Sequence, residues 1–372
     1  MHQSHFAAVS APLTVVVPDS PVPTKTENDS ANAGIIDPKT ARSSRVHALV
    51  VEADGAQPPA TTQTGLIVKG PRAPAFDADD LEHMADVLDL HDDYRVLRRL
   101  RPAPRYHLPD GTPTLRGIYP DVETTGLDAA TDEVVELGLV PFDYSRDGRI
   151  FDVHPPFDRF RDPARPIPAA VTDLTGITDD MVAGSVIEAA EIEAFIGPAV
   201  LVIAHNAGFD RKFVERLCPA FASLAWGCSW RDVPWAEEGF DGAKLAQLAA
   251  GFGFFHHGHR ACHDCHAGID ILSRDLPRSG RTGLAFLLES ARSPRHRVWA
   301  TGAPFEMKDR LKARGYRWAD GSNGGRRAWH IEVREAGLET ELRFLRRDIF
   351  GRDEGDIHVD RITAFDRYSD RA

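Results

Sequence analysis

Cysteine is scarce in this chain, with four in 372 residues. That is too few for a disulfide framework, so a cytoplasmic location is the expectation. No apolar run approaches the roughly 18–20 residues of a bilayer span, so no membrane association is expected. Positive charge is also in deficit: 44 Lys+Arg stand against 56 Asp+Glu, a formal net charge of −12. This balance neither announces a nucleic-acid binder nor excludes one, because a local basic patch can sit on an acidic protein. The N-terminal FAAVSAPLTVVV resembles a signal core, but no Lys or Arg precedes it and no clear small-residue cleavage site follows. An export signal is therefore not expected. No internal repeat is found. What is present is an ordinary globular composition, 42% hydrophobic and 27% charged, in a chain long enough for one large domain and a smaller one.

Composition shifts mark the organisation. Residues 1–75 are rich in Pro, Ala, Ser, Thr and Asp without a sustained period, and read as disordered apart from a short strand at VHALVVEA (47–54). Over 76–110, Leu81, Met84, Val87, Leu88, Leu90, Tyr94, Leu97 and Leu100 recur at roughly helical spacing, which predicts a helix over 77–101. Prolines 102, 104 and 109 end it. From 115 to 275 the pattern is β-β-β-α-β-α and then helices. Strands are predicted in RGIYPDVETTGLD, EVVELGLVPFDY and RIFDVHPPF, with a short buried one in AVLVIAH. Thr178 is a candidate N-cap. This order fits a mixed sheet with helices on its faces, an α/β class. Residues 276–294 read as a linker, followed by a small α+β module at 295–350.

Three motifs carry chemistry. In DVETTG, Asp121 and Glu123 are two apart on a predicted strand, so both carboxylates point to one face. In HNAGFD, a buried strand ends at His205-Asn206 and a helix begins near Asp210, the kind of strand end where α/β sheets bind ligands. The third is HRACHDCHAG, residues 259–268. It contains C-x-x-C-H, the c-type haem pattern, and its Cys262 and Cys265 also have legitimate zinc or redox spacing. Haem attachment needs export and a largely apolar pocket. Zinc would want a second C-x-x-C or H-x3-5-H pair, and none follows. The same stretch holds His259 and Asp264 as H-x4-D, a loop histidine and a helical carboxylate that can reach one site. Cys262 and Cys265, three apart on one helical face, also read as buried core. His256 and His257 read as solvated loop residues or phosphate contacts.

Together D-x-E-T-T-G, HN-x-x-FD and H-x4-D resemble the DEDDh family of 3'→5' exonucleases, which includes the proofreading epsilon subunit of DNA polymerase III and ribonuclease T. LTGIT (174–178), followed by Met181-Val182, matches the family's segment between its first two motifs. The resemblance covers residues 115–275 and implies a ribonuclease H-like fold. It implies four metal-binding carboxylates, Asp121, Glu123, Asp210 and Asp264, and His259 as general base. It also implies substrate contacts from Thr124, Thr125, Gly126 and Leu127, with His205 and Asn206 beside them. One like-charge pair at ~4 Å costs roughly 4 kcal/mol at an effective dielectric near 20. Two divalent cations would relieve that repulsion, and oxygen-only ligands favour Mg²⁺ or Mn²⁺. The implied partner is a nucleic-acid 3' end, single-stranded, with DNA repair or proofreading and a polymerase partner as the setting. An RNA-trimming enzyme and a non-catalytic binding protein of the same fold are the alternatives.

The sequence departs from the family pattern at Pro120, which lacks an N–H and demands an edge, a bulge or an unpaired position. It departs again at Gly268, inside the last helix, where Gly costs up to about 1 kcal/mol against Ala. The Cys and His inside H-x4-D are also unusual. The C-terminal module reads strand, helix, turn, strand over 298–333, and resembles a small bacterial domain with a PF-x-x-KD-x-x-K…G-x-x-W pattern. Phe305, Leu311, Ala313, Trp318, Trp329 and Ile331 are its expected core. From Ala291 to Phe350 there are 14 Lys+Arg and 8 Asp+Glu. Basic groups near aromatics suit single strands, with Lys308, Arg310, Lys312 and Arg314 on the expected basic helix face and Arg317, Arg326 and Arg327 following.

Overall fold

The structure is a computed structural model and describes residues 76–321, 325–369 and 371, together with the short strand β1 (Thr14–Val15). The strand expected at 47–54 lies outside the described residues. The chain divides into two compact units, Met1–Arg99 and Leu100–Ala372.

In the first unit, α1 (Ala78–Asp89) starts from a reciprocal cap in which Asp77 accepts from the Asp80 N–H and Asp80 accepts from the Asp77 N–H. The helix is shorter than its apolar spacing predicts. It stops at Leu90, which is 88% exposed, and the chain re-forms as β2 (Val96–Arg99), antiparallel to β1. Polar contacts dock this segment. Arg98 donates to Glu82, Asp86 and Asp89, a stripe along one face of α1, and Asp89 also accepts from the Val96 N–H. Hydrophobic periodicity cannot register such contacts.

The second unit is built around its two longest strands. β3 (Thr114–Thr124) and β4 (Val134–Ser145) pair antiparallel along their length, with Glu123 opposite Glu136. β5 (Ile150–Val153) and β6 (Phe157–Phe160) both pair antiparallel with β4. Helices α2 (Ala169–Thr175), α3 (Asp179–Val182) and α4 (Ala189–Ile196) lead to β7 (Leu201–Ala204). Thr178 holds the N-cap position of α3 but makes no side-chain cap bond. β7 runs parallel to β3, and β8 (Ala225–Cys228), a strand absent from the sequence reading, runs parallel to β7. The order β5-β4-β3-β7-β8 is a mixed sheet with flanking helices, the ribonuclease H-like α/β arrangement.

Strand alternation splits the core into two layers. Ile118, Val122, Leu137, Leu139 and Val202 face a layer that includes α4 and α5 (Ala207–Leu217). Tyr119, Val140, Phe142 and Ile203 face the other, with α6 (Leu245–Gly251), the short β9 (Phe254–Phe255), α7 (Ala261–Ser273) and α8 (Gly283–Arg292). α8 replaces the expected linker. Its Leu284, Leu287 and Leu288 are buried, and Thr282 caps it by accepting from the Ala285 N–H.

Two glycines let α7 lie close on the sheet. A Cβ at Gly268 would fall 2.2 Å from the Tyr119 ring, and one at Gly138 would fall 2.7 Å from the Cys262 nitrogen. The helix-propensity cost of Gly268 is therefore the condition for this approach. Pro120 is explained by register. Arg116 O accepts from the Val200 N–H, so even-numbered residues of β3 turn their backbone groups toward β7. The β3–β7 ladder ends at Ile118–Val202, and the missing N–H of Pro120 falls past its end.

The C-terminal module is a four-stranded antiparallel sheet. It comprises β10 (Arg295–Ala300), β11 (Arg317–Asp320), β12 (Arg327–Arg334) and β13 (Val359–Ile362), in the order β11-β12-β10-β13. Helices α9 (Lys308–Ala313) and α10 (Glu335–Phe344) complete it. Val298, Ala300, Leu311, Tyr316, Leu345 and Ile349 form its buried core, with Trp329 and Ile331 partly buried against it. Phe305 and Trp318, expected in that core, are 75% and 49% exposed, and Ala313 is exposed too. α10 and the turn after it fill the space instead. The chain then returns to the mixed sheet. Ala364 O accepts from the Trp226 N–H, and the fully buried Arg211 donates to Phe365 O and Arg367 O.

Candidate active site

The carboxylates converge from three elements. Asp121 and Glu123 lie at the C-terminal end of β3 on its α7 side, and Asp264 sits in the first turn of α7. One ligand atom from each of these three lies within 4.8 Å of the others. Asp210, on α5, is 97% buried and stands close enough to feel the charges of this group, though outside the tight triplet. Its carboxylate accepts from the Val122 N–H and its own N–H.

Electrostatics show the tension in this arrangement. Burial first, then Asp210, Asp264 and Glu123, hold the Asp121 carboxyl well above the usual carboxylate range. Burial, then Asp264 and Glu136, push Glu123 up to about 8. Burial, opposed by its two N–H donors, leaves Asp210 at about 8. The donor set is oxygen only. Carboxyls this reluctant to ionise together fit hard divalent cations, whose charge would reverse the shift.

Asp264 is gripped from both sides. His256 Nε2 lies 2.6 Å from its Oδ1, and the His259 N–H donates to its Oδ2 at 2.8 Å. His259 itself is exposed and adopts a left-handed backbone, φ 62°. His256 was expected in solvent or in contact with phosphate. Its side chain is instead 6% exposed, because the chain between β9 and α7 folds it against the carboxylate. Spacing gave no reason to prefer it among the many histidines of that stretch.

Glu136 is the other residue that motif reading passed over. It is 1% exposed on β4 and accepts two-pronged from Arg260, with Nη2 at 2.8 Å, and from the Ala261 N–H at 2.9 Å. The first turn of α7 is thereby pinned to the sheet. A glutamate inside the buried run VVELGLV was the available signal, since buried charges need partners.

The turn after β3 is internally bonded. Thr124 Oγ1 donates to Gly126 O, and Thr125 Oγ1 accepts from the Glu133 N–H. Leu127 projects from it, 86% exposed. Across the site, His205 Nδ1 lies 2.9 Å from Ser229 Oγ, its Nε2 is buried without a partner among the described residues, and its ring stacks on Trp230. Burial pulls His205 down to about 4, so it is neutral at pH 7. Asn206, φ 69°, begins α5 without a side-chain cap bond.

Cys262 and Cys265 are buried between α7 and the sheet. Their thiols lie against Phe157 O and Gly138 O, and burial raises both pKa values. Their helical face is core. Among the described residues, the carboxylate triplet is the one cluster with metal-ligand geometry.

Known proteins similar to this chain are exonucleases and DNA polymerases. Residues 118–272 match the family model RNase_T, described as Exonuclease. The PolC-type DNA polymerase III of Halalkalibacterium halodurans is 47% identical over 98 residues, 26% of this chain and 6% of that protein. That of Clostridium perfringens is 34% identical over 160 residues, 41% of this chain and 10% of that protein. The chain thus spans a small fraction of these relatives. Among solved structures, exonuclease X with 5' overhanging duplex DNA is 22% identical, covering 47% of this chain and 90% of that one at TM-score 0.32. Zinc-bound E. coli exonuclease I with single-stranded DNA is 17% identical, covering 59% and 63% at TM-score 0.40. No helix among the described residues is long and apolar enough to cross a membrane. Residues 118–272, which build the mixed sheet and supply every carboxylate of the cluster, are the residues that match the RNase_T exonuclease family model.

Proposed function

We propose that the chain is a metal-dependent 3'→5' exonuclease acting on single-stranded DNA ends and releasing nucleoside monophosphates. The observation that carries this reading is the carboxylate triplet of Asp121, Glu123 and Asp264, with Asp210 beside it, at the end of the parallel strands of an exonuclease-family domain. These four would hold two Mg²⁺ or Mn²⁺ ions, which would supply charge neutralisation and Lewis-acid polarisation at the scissile phosphate.

The chain's own groups do the rest. His259 is exposed beside Asp264, and its imidazole takes the proton of the attacking water. The backbone bond from His259 to Asp264 ties the position of this base to the carboxylate cluster. The bonded turn Thr124–Gly126 presents the terminal nucleotide's contacts, and the exposed Leu127 packs against its base. His205, neutral at pH 7, and Asn206 beside it contribute further contacts to the strand. The relatives are named as DNA polymerases, and a polymerase is the protein partner this reading implies.

The test uses 3'-labelled single-stranded DNA and RNA of one sequence with Mg²⁺, Mn²⁺ or EDTA, for the wild type and for Asp121→Ala and His259→Ala. The expected result is metal-dependent release of label from DNA, faster than from RNA and lost in both variants. Faster release from RNA would make it an exoribonuclease. Binding without release from either strand would overturn the enzyme reading.

A further inference from the structure

The basic surface expected on α9 is largely spent within the module. Arg310 pairs with Asp348, Arg314 pairs with Glu341, and Lys308 and Lys312 lie over Phe305 and Trp329. A denser group of cations lies elsewhere. A cavity of about 600 Å³ opens between α5, the turn after β8 and the C-terminal sheet. It is lined by Lys212, Arg231, Arg295, Arg297, Arg317 and Arg367, against a single lining carboxylate, Glu332.

Register explains why the cations gather there. Arg297 lies across the strands from Glu332, with which it forms an ion pair at 2.6 Å, and Arg317 lies across from His330, so these residues share the sheet face opposite the Val298–Ile331 core pair. Arg295 and Arg297 are two apart on β10 and share that face as well. Arg367 comes from the returning C-terminal segment. It is 4% exposed, and its Nε and Nη2 have no partner among the described residues. Arg297 Nε is likewise buried without one. Buried donors in native structures find acceptors, so these mark a place for one. Asp232, fully buried behind the wall, partly balances Arg295 and Arg367. Arg231 and Arg317 are exposed and make no ion pair among the described residues. Arg231 also follows Trp230, the ring stacked on His205, so the cavity's edge adjoins the candidate active site.

We propose that this cavity is a second nucleic-acid site, binding backbone phosphates of the substrate strand away from its 3' end. That the phosphates belong to a nucleic acid rests on the exonuclease reading above. The cavity's affinity for phosphate does not. The C-terminal module lies outside the residues that match the exonuclease family, so strand-holding here would be a property added to the catalytic domain.

The experiment measures binding in EDTA, where no cleavage is needed. Fluorescence anisotropy is read with single-stranded DNA of about 3, 6, 12 and 24 nucleotides across a salt series. The wild type is compared with the Arg231→Ala/Arg317→Ala double variant, whose melting temperature checks the fold. The expected result is an affinity loss of at least tenfold for the longest strand that shrinks toward the trinucleotide. The salt slope for the longest strand should fall by about 1.4, from two fewer contacts at about 0.7 each. Unchanged affinity and slope on the longest strand would overturn the proposal. An equal loss at every length would also overturn it, placing the arginines in the active site. So would stoichiometric binding of inorganic tripolyphosphate that leaves binding of the long strand undisturbed. A protein that binds long strands through these arginines but releases no nucleotide with Mg²⁺ would overturn the exonuclease reading and leave this one standing.

Discussion

Arg260 grips Glu136 through both Nε and Nη2, and Glu136 sits directly across the strand pair from Glu123. One guanidinium therefore neutralises a buried carboxylate next to the carboxylate cluster and also fixes the start of the helix bearing Asp264. Removing it leaves Glu136 buried and unpaired. Arg260→Ala should cost about 2–4 kcal/mol of stability and lower nuclease activity well beyond what partial unfolding explains. Arg260→Lys keeps the charge but loses the fork, and should fall between. Chemical denaturation alongside rate measurement checks both.

Metal and protons should compete at the carboxylates. Glu123 and Asp210 hold protons up to about pH 8 in the metal-free fold, whereas the unfolded chain releases them near 4. The folded state thus binds more protons in that window, and their contribution to stability is lost as pH rises through about 8. Divalent cations bound at the cluster would take the place of those protons. The rise in melting temperature caused by Mg²⁺ or Mn²⁺ over EDTA should be larger at about pH 8.5 than at about pH 5.5. An equal rise at both would count against the cluster as the metal site.

Gly268→Ala should destabilise the fold despite the better helix propensity of alanine. The new methyl would meet Tyr119 at 2.2 Å. Overpacking of this kind costs about 1–3 kcal/mol. A melting temperature that rises instead would show that α7 can shift off β3.

The thiols should be inert in the native state. All four cysteines are buried, and Cys228, Cys262 and Cys265 have raised pKa values from burial. Titration with a thiol reagent should label almost none before denaturant and four afterwards. Fast reaction of Cys262 or Cys265 would reopen the redox reading of C-x-x-C.

Leu127→Ala should leave stability nearly unchanged, since the side chain is 86% exposed. If Leu127 packs against the terminal base, strand binding should weaken by roughly 1–2 kcal/mol, read as a raised KM on short DNA.

The parts of this molecule that were legible in the sequence obey local rules. Strand alternation put Asp121 and Glu123 on one face, and the buried run LVIA placed His205 at a strand end. Cys262 and Cys265 shared a helical face that is indeed core. What escaped depends on partners distant in sequence. VLRR is a strand docked by three acidic residues of α1, and the apolar spacing there imitated a helix. Gly268 looked costly until Tyr119, 149 positions earlier, was seen to need its space. His256 could not be told from its neighbours until the loop was folded. Trp318 and Phe305 were assigned to a core that α10 and its following turn occupy instead.

The return of the chain after β13 has a mechanical meaning. A module joined by one connection can swivel about it, and its distance from the catalytic face is then an average. Here the module leaves through α8 and comes back through residues 363–369, which Arg211 and the Trp226 N–H hold to the sheet edge. Two separate moorings suppress that swivel. A strand crossing the module would then meet phosphate contacts at a set spacing from the carboxylates, so the second unit would work as a ruler for the strand as well as a grip on it.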